Sequence, residues 1–238
     1  MLNIAVVGAS ALQSATGIGF GVIAGPILLV LLNDGSAIQV SIALNFLIAA
    51  ILAPSLRHKL DSLVLKNLLI GIAIGSPLGL LVFLSLDIVA LKVTAGIGVL
   101  LTLYLFVSGS RSRQPKSSYG RLEQVPIGVI AGVMGACLGM PGPIPAAWMS
   151  AKEFDTETIR ATILAMFVIA YAIAMGLQFV GADIGADTLA LSASLAPATV
   201  VGILIGHLAS GHITDNAFRK IILTILVATA MILFSSLL

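Results

Sequence analysis

Charge is what this chain has least of. Only 9% of its 238 residues are charged, against about 25% in soluble domains, while 59% are hydrophobic. That balance makes it an integral membrane protein embedded in a lipid bilayer. Aromatics amount to 5% and the net charge to +2, too little stacking surface and too weak a basic face for a nucleic-acid partner. The single cysteine, Cys137, excludes an internal disulfide and any cysteine-based zinc or iron–sulfur motif. A small apolar filler is its ordinary role, although it lies where a thiol could touch a substrate. No Asp, Glu, Lys or Arg lies in the middle of a hydrophobic block, which argues against the buried carboxylate relays of proton-coupled pumps. Carboxylates and Met/His clusters are absent there too, which disfavours a metal-ion permease; no metal and no cofactor is expected. The start, Met1-Leu2-Asn3-Ile4, lacks the basic region of a signal peptide, so the first apolar stretch reads as mature protein.

What is present is a set of long apolar runs. A bilayer core of about 30 Å needs roughly 20 apolar residues per crossing helix. Eight blocks meet or approach that length: 4–32, 36–54, 63–84, 88–107, 124–149, 158–180, 188–209 and 216–237. Two of them are interrupted. In 4–32 the chain reads Gln13-Ser14-Ala15-Thr16-Gly17-Ile18-Gly19-Phe20-Gly21, then Gly25-Pro26; in 124–149 it reads Gly135-Ala136-Cys137-Leu138-Gly139-Met140-Pro141-Gly142-Pro143-Ile144-Pro145. A broken helix in lipid exposes amides and carbonyls, each costing several kcal/mol unless something satisfies it. Paired interruptions in two halves of a membrane chain point to a transporter's substrate site.

The halves correspond. A polar linker at 108–123, carrying Arg111, Arg113, Lys116 and Arg121, separates 1–107 from 124–238. Gly17-Ile18-Gly19 stands where Gly139-Met140-Pro141 stands, and Gly75-Ser76-Pro77-Leu78-Gly79 parallels Gly202-Ile203-Leu204-Ile205-Gly206. Those last two are small-residue faces that let helix backbones approach. Asp87 through Phe106 parallels Asp215 through Phe234, with Lys92 against Lys220.

Charge placement orients the repeat. If 4–32 and 124–149 dip in and return, each half has three full crossings. Arg57, Lys59, Lys66, Arg111, Arg113, Lys116, Arg121, Lys152, Arg160, Arg219 and Lys220 then share one side, with Lys92 alone on the other near Asp34, Asp87, Asp183 and Asp187. Positive charge gathers on the cytoplasmic side, so the linker is read as cytoplasmic. Three crossings is odd, so the second half enters from the opposite face. The expected fold is an all-α membrane protein built as an inverted-topology repeat, each half one re-entrant broken helix plus three transmembrane helices. Half-helices of about 10 residues rise about 15 Å, enough to meet at the midplane. Eight full crossings with kinked helices is the alternative.

Without intramembrane charge, backbone amides and neutral side chains are left to bind a solute. Helix amino termini carry about half a positive charge and bind anions. The second half-helices start near Gly21 and near Gly142, so two such starts would cradle a small oxyanion. The candidate substrate-binding residues are Gln13, Ser14, Thr16, Gly17, Gly19, Gly21, Gly25, Pro26, Asn45, Gly139, Pro141, Gly142 and Pro143, with Arg57 at the cytoplasmic mouth. Glycine permits close backbone approach, and proline in a helix's first turn sacrifices no bonded amide. Trp148 and Tyr171 read as packing or interface anchors.

The two breaks resemble the signature of the TauE/SafE family: Gly17 to Gly21 through Pro26-Ile27-Leu28 is similar to its first glycine-rich turn, and Gly139-Met140-Pro141-Gly142-Pro143-Ile144 to its second. Phe20 and Pro141 stand where that family usually has glycine, and Ile144 where a second proline is common. The resemblance implies export of sulfite or a short sulfonate such as sulfoacetate. The expected protein is a secondary transporter in the cell's inner membrane, with one half rocking against the other to alternate access. Import of the same anions is an alternative, because direction follows gradients. An intramembrane serine protease using Ser10 and His207 is a third reading, and it requires those two residues to meet. Oligomeric state is not legible.

Overall fold

The computed structural model describes residues 2–17, 19–108, 121–209 and 215–236, with backbone alone at 108, 121 and 215–222. Among them there are ten α-helices and no strand: α1 Leu2–Thr16, α2 Phe20–Leu32, α3 Ser36–Leu56, α4 Ser62–Ser85, α5 Ile88–Ser108, α6 Arg121–Leu138, α7 Pro143–Ala151, α8 Thr156–Gly181, α9 Ala186–Ala209 and α10 Asp215–Ser235. A 3-10 turn, Arg57–Lys59, joins α3 to α4. Helices α3, α4, α5, α8 and α9 are long and apolar enough to cross a membrane. Their 21 to 26 residues rise about 32–39 Å at 1.5 Å per residue. The apolar described part of α10 is Leu223–Ser235. Large exposed side chains such as Leu63, Ile74, Leu81, Phe179, Leu204 and Leu208 ring these helices, as a lipid-facing surface requires. The chain is an all-α membrane protein.

The ends of the helices fall into two groups. At one end, Lys59 pairs with Glu157 at 2.9 Å, the Asp61 amide donates to the Thr162 hydroxyl at 3.0 Å, and Lys152 pairs with Glu123 at 3.0 Å. At the other, Lys92 donates to the Asn33 side chain at 2.6 Å, Gly35 packs on Phe83 and Leu91, and the Gln39 amide reaches the Ala182 carbonyl at 3.5 Å. The turn 57–61 and the start of α8 therefore lie together, and Lys92 lies opposite them. Arg111, Arg113 and Lys116 fall outside the described residues, as does most of the linker 108–123.

Each interrupted segment doubles back. Glu123 begins α6 and Lys152 follows α7, so their ion pair brings both ends of 121–152 to the Lys59 end. For the first segment the register along α9 decides. Gly202 packs on Val7 and Ser10, and Gly206 on Ala11, so α1 and α9 run parallel. Helix α1 thus starts toward the end where α8 gives way to α9, which is also where α2 finishes beside Lys92. The half-helices have 15, 13, 18 and 9 residues, not the even tens that composition suggests, because helix persists through Gln13–Thr16 and Gly135–Leu138 before the turn.

Small residues set the tightest seams. Gly71, Gly75 and Gly79 of α4 meet the backbones of Val125, Val129 and Val133 of α6, while Gly128 and Gly132 meet Leu68 and Ile72. A Cβ at any of these would overlap main-chain atoms. With lipid as apolar as the helices, such close approach is what drives association. A buried Asn67–Gln124 hydrogen bond of 2.6 Å pins the α4–α6 seam. The α1–α9 seam has the Ser14 hydroxyl on the Ile203 carbonyl at 2.8 Å. Both seams join an interrupted segment of one half to a spanning helix of the other.

Candidate functional site

The two breaks are short turns whose backbones need glycine. Gly17 has φ 84°, Gly19 φ 148° and Gly139 φ 68°, a region that side chains disfavour. The Gly17 amide still bonds the Gln13 carbonyl at 2.7 Å and the Gly139 amide the Gly135 carbonyl at 3.0 Å, so each turn closes its preceding helix. Gln13 is fully buried; its side-chain oxygen accepts from the Phe20 amide at 2.8 Å and so occupies the first donor of α2. Ser14 is also buried, with its hydroxyl on Ile203 and its carbonyl taking a bond from Arg160. Thr16 is the last residue of α1.

The tips meet through main chain. A Cβ at Gly21 would overlap the Gly139 carbonyl oxygen, and the Asn45 amide nitrogen is beside it. Gly25 lies one turn on, with Ser41 and the Leu138 carbonyl at ordinary van der Waals range of a Cβ, so close approach does not demand glycine there. Pro26, the seventh residue of α2, supplies no amide to the Val22 carbonyl. Asn45 is fully buried; its nitrogen donates to the Ser41 carbonyl at 2.9 Å, and its oxygen has no partner. Pro141, Gly142 and Pro143 are buried. Gly142 caps α7 with φ −82° and ψ −38°, a conformation open to any residue.

An anion cradle built on two helix starts is thinner than expected. Pro143 and Pro145 occupy the first and third positions of α7 and have no N–H, so Ile144 alone donates from its first three residues. At α2, Gln13 already takes the Phe20 amide. The reason lies in the sequence: prolines that start a helix cheaply also remove its donors.

Four groups at the tips are ones that sequence reasoning did not select. Tyr171, expected as a packing anchor, is 1% exposed, and its hydroxyl donates to the Gly139 carbonyl at 3.1 Å. Gln178 donates to the Ala136 carbonyl at 2.7 Å and keeps an unpartnered oxygen. Ser41 faces Gly139. Arg160, one turn into α8, lays its side chain across Gly17 and donates to the Ser14 carbonyl. Only its position inside an apolar block hinted at this. Arg57 lies exposed beyond α3, its Nε 3.4 Å from His58. Trp148 packs against Phe154 with ring centroids 6.0 Å apart. Cys137 is buried in α6, where burial pushes a thiol toward inert filler.

Acidic groups at the Lys59 end are engaged elsewhere. Hydrogen bonds from Thr158 hold the Asp155 carboxyl below the usual carboxylate range. Asp61 accepts from the Leu63 and Val64 amides. Ser10, the possible nucleophile, is buried with its hydroxyl on its own Val6 carbonyl at 2.7 Å, while His207 sits on the exposed side of α9. The geometry does not bring them together. Among the described residues no cluster of His, Cys, Asp and Glu could hold a metal.

No curated protein and no solved structure matches the chain. The family model described as Sulfite exporter TauE/SafE matches residues 2–233, nearly the whole length and including both broken helices. The chain is therefore a multi-pass integral membrane protein of the TauE/SafE family, whose members are transporters of small anions.

Proposed function

We propose that this protein exports a small sulfur oxyanion, sulfite or a short sulfonate such as sulfoacetate, across the inner membrane by alternating access. In this reading 1–107 and 124–238 are inverted repeats. The hairpins α1–α2 and α6–α7 enter from opposite faces, and their tips form the substrate site. One observation carries it: two doubled-back, glycine-turned segments touch at Gly21 and Gly139, with the Asn45 amide nitrogen beside the contact.

The pairing of helices supports the repeat. Exchanging α1 with α6, α2 with α7, α3 with α8, α4 with α9 and α5 with α10 turns the α4–α6 seam into the α9–α1 seam, and leaves the contacts of α3 with α8 and of α5 with α10 in place. A membrane potential negative inside drives an anion outward by about 2.3 kcal/mol per charge per 100 mV, so export needs no proton carrier.

Purified protein in liposomes tests the function directly. Sulfite or sulfoacetate flux should follow an imposed potential and fall when Gly19 is replaced by valine, whose side chain fits neither φ 148° nor the neighbouring Leu12. Absence of flux for every sulfur oxyanion tried would overturn the reading.

A further inference from the structure

A half-buried guanidinium without a carboxylate is unusual, because charges leave water at high cost unless they are paired. Arg160 is in that position. One terminal nitrogen donates to the Ser14 carbonyl, a neutral acceptor, and its Nε is buried with no partner at all. Every described carboxylate at this end makes its bonds elsewhere, and Glu157 acts on Arg160 only through space. Glu157, one turn earlier on α8, is bound to Lys59, and Glu123 to Lys152. Asp61 and Asp155 cap α4 and α8, and Glu153 is exposed.

A second unmatched donor lies at the same turn. Gln13 is fully buried, its oxygen fixed by the Phe20 amide, so the side-chain nitrogen is the atom left without an acceptor. Both unmatched groups are donors, Arg160 lying against Gly17 and Gln13 beside Gly19 and Phe20. A cation would be repelled there, and an apolar solute would leave both unsatisfied. A small oxyanion supplies the missing acceptors and the missing charge together. Gly17 keeps the place open to the arginine, since a Cβ there would sit 2.6 Å from its Cγ.

We propose that Arg160 and Gln13 form an oxyanion-binding site on the first tip, facing the Lys59 end, and that Arg160 is a substrate-binding residue and more than a clasp on α1. The proposal rests on the transport reading above and assigns its charge recognition.

Sulfite binding to detergent-purified protein, followed by thermal shift at fixed ionic strength, tests it. Arg160→Gln keeps a donor for the Ser14 carbonyl and loses the charge. Its sulfite affinity should fall about tenfold or more, while its melting temperature without sulfite stays near wild type. Arg160→Lys keeps charge without the fork that presents Nε–H, so it should also bind about tenfold more weakly, and it decides the matter should the glutamine variant misfold. Wild-type affinity in either folded variant would overturn the assignment and leave the transport reading standing. A melting temperature that drops in Arg160→Gln with sulfite affinity unchanged would make the residue a structural clasp only. Wild-type protein that neither binds nor moves sulfite, sulfate or a short sulfonate would overturn both.

Discussion

At the first tip Gly17 lies under an arginine; at the second Gly139 lies under Ser41 and bonds a buried phenol. The backbone problem is the same, a turn with positive φ between two half-helices, but the side chains that finish it differ in kind. At the second tip every side-chain donor is bonded, Tyr171 to the Gly139 carbonyl and Gln178 to the Ala136 carbonyl, and the bare atoms nearby are the Gln178 and Asn45 oxygens, which are acceptors. At the first, two buried donors have no acceptor. Symmetric backbones thus carry unequal polar finish: bare donors at the first tip, the kind of group an anion needs, and bare acceptors at the second.

That contrast is open to experiment. The largest effect expected is all-or-none. In a background lacking Cys137, Lys152→Cys and Asp183→Cys should be labelled by impermeant reagents from opposite faces of the membrane. Labelling of both from one face would remove the opposed-hairpin arrangement on which any comparison of tips depends.

Next comes Gly21→Ala. The added carbon meets the Gly139 carbonyl, a backbone atom that cannot swing aside, and overpacking of this kind costs about 1–3 kcal/mol or more. Thermal unfolding in detergent should show a drop of several degrees; an unchanged midpoint would mean that the tips do not touch. Tyr171→Phe leaves the Gly139 carbonyl without its donor, at about 1–2 kcal/mol. Sulfite affinity should change little, since the hydroxyl is spent on the Gly139 carbonyl; a tenfold loss would make that hydroxyl a substrate ligand. The smallest effect belongs to Gly25→Ala. Its new carbon finds ordinary contacts and gains helix propensity of up to about 1 kcal/mol, so the midpoint should hold or rise slightly. A large fall would show that the arms below the tips are packed as tightly as the tips.

Much of the architecture could be read from residue order alone. Glycine and proline marked both interruptions, the crossing helices followed from apolar length, and Gly75–Gly79 and Gly202–Gly206 are close-packing faces as their spacing implies. What those faces pack against was not legible, since Gly75 meets Val129 and Gly206 meets Ala11 across long stretches of chain. Arg160 was hidden for a related reason. Its role comes from a turn well over a hundred residues away, whereas locally it is a basic residue near a helix end. The shortage of donors at α7 was in plain view, because Pro143 and Pro145 announce it. Residue order also did not separate Gly21, where packing demands glycine, from Gly25 and Gly142, where neither close contact nor backbone conformation does.

The swapped glycine seams carry a mechanical consequence. Helix α1 is fastened to α9 and α6 to α4, so a cut in the linker would leave two fragments, each holding a helix whose mate is in the other. For the proposed transport cycle, chain order need not define the moving bodies. Swinging 1–107 as a block against 124–238 would have to unzip both interlocks, whereas sliding the α1–α9 pair past the α4–α6 pair would keep each intact.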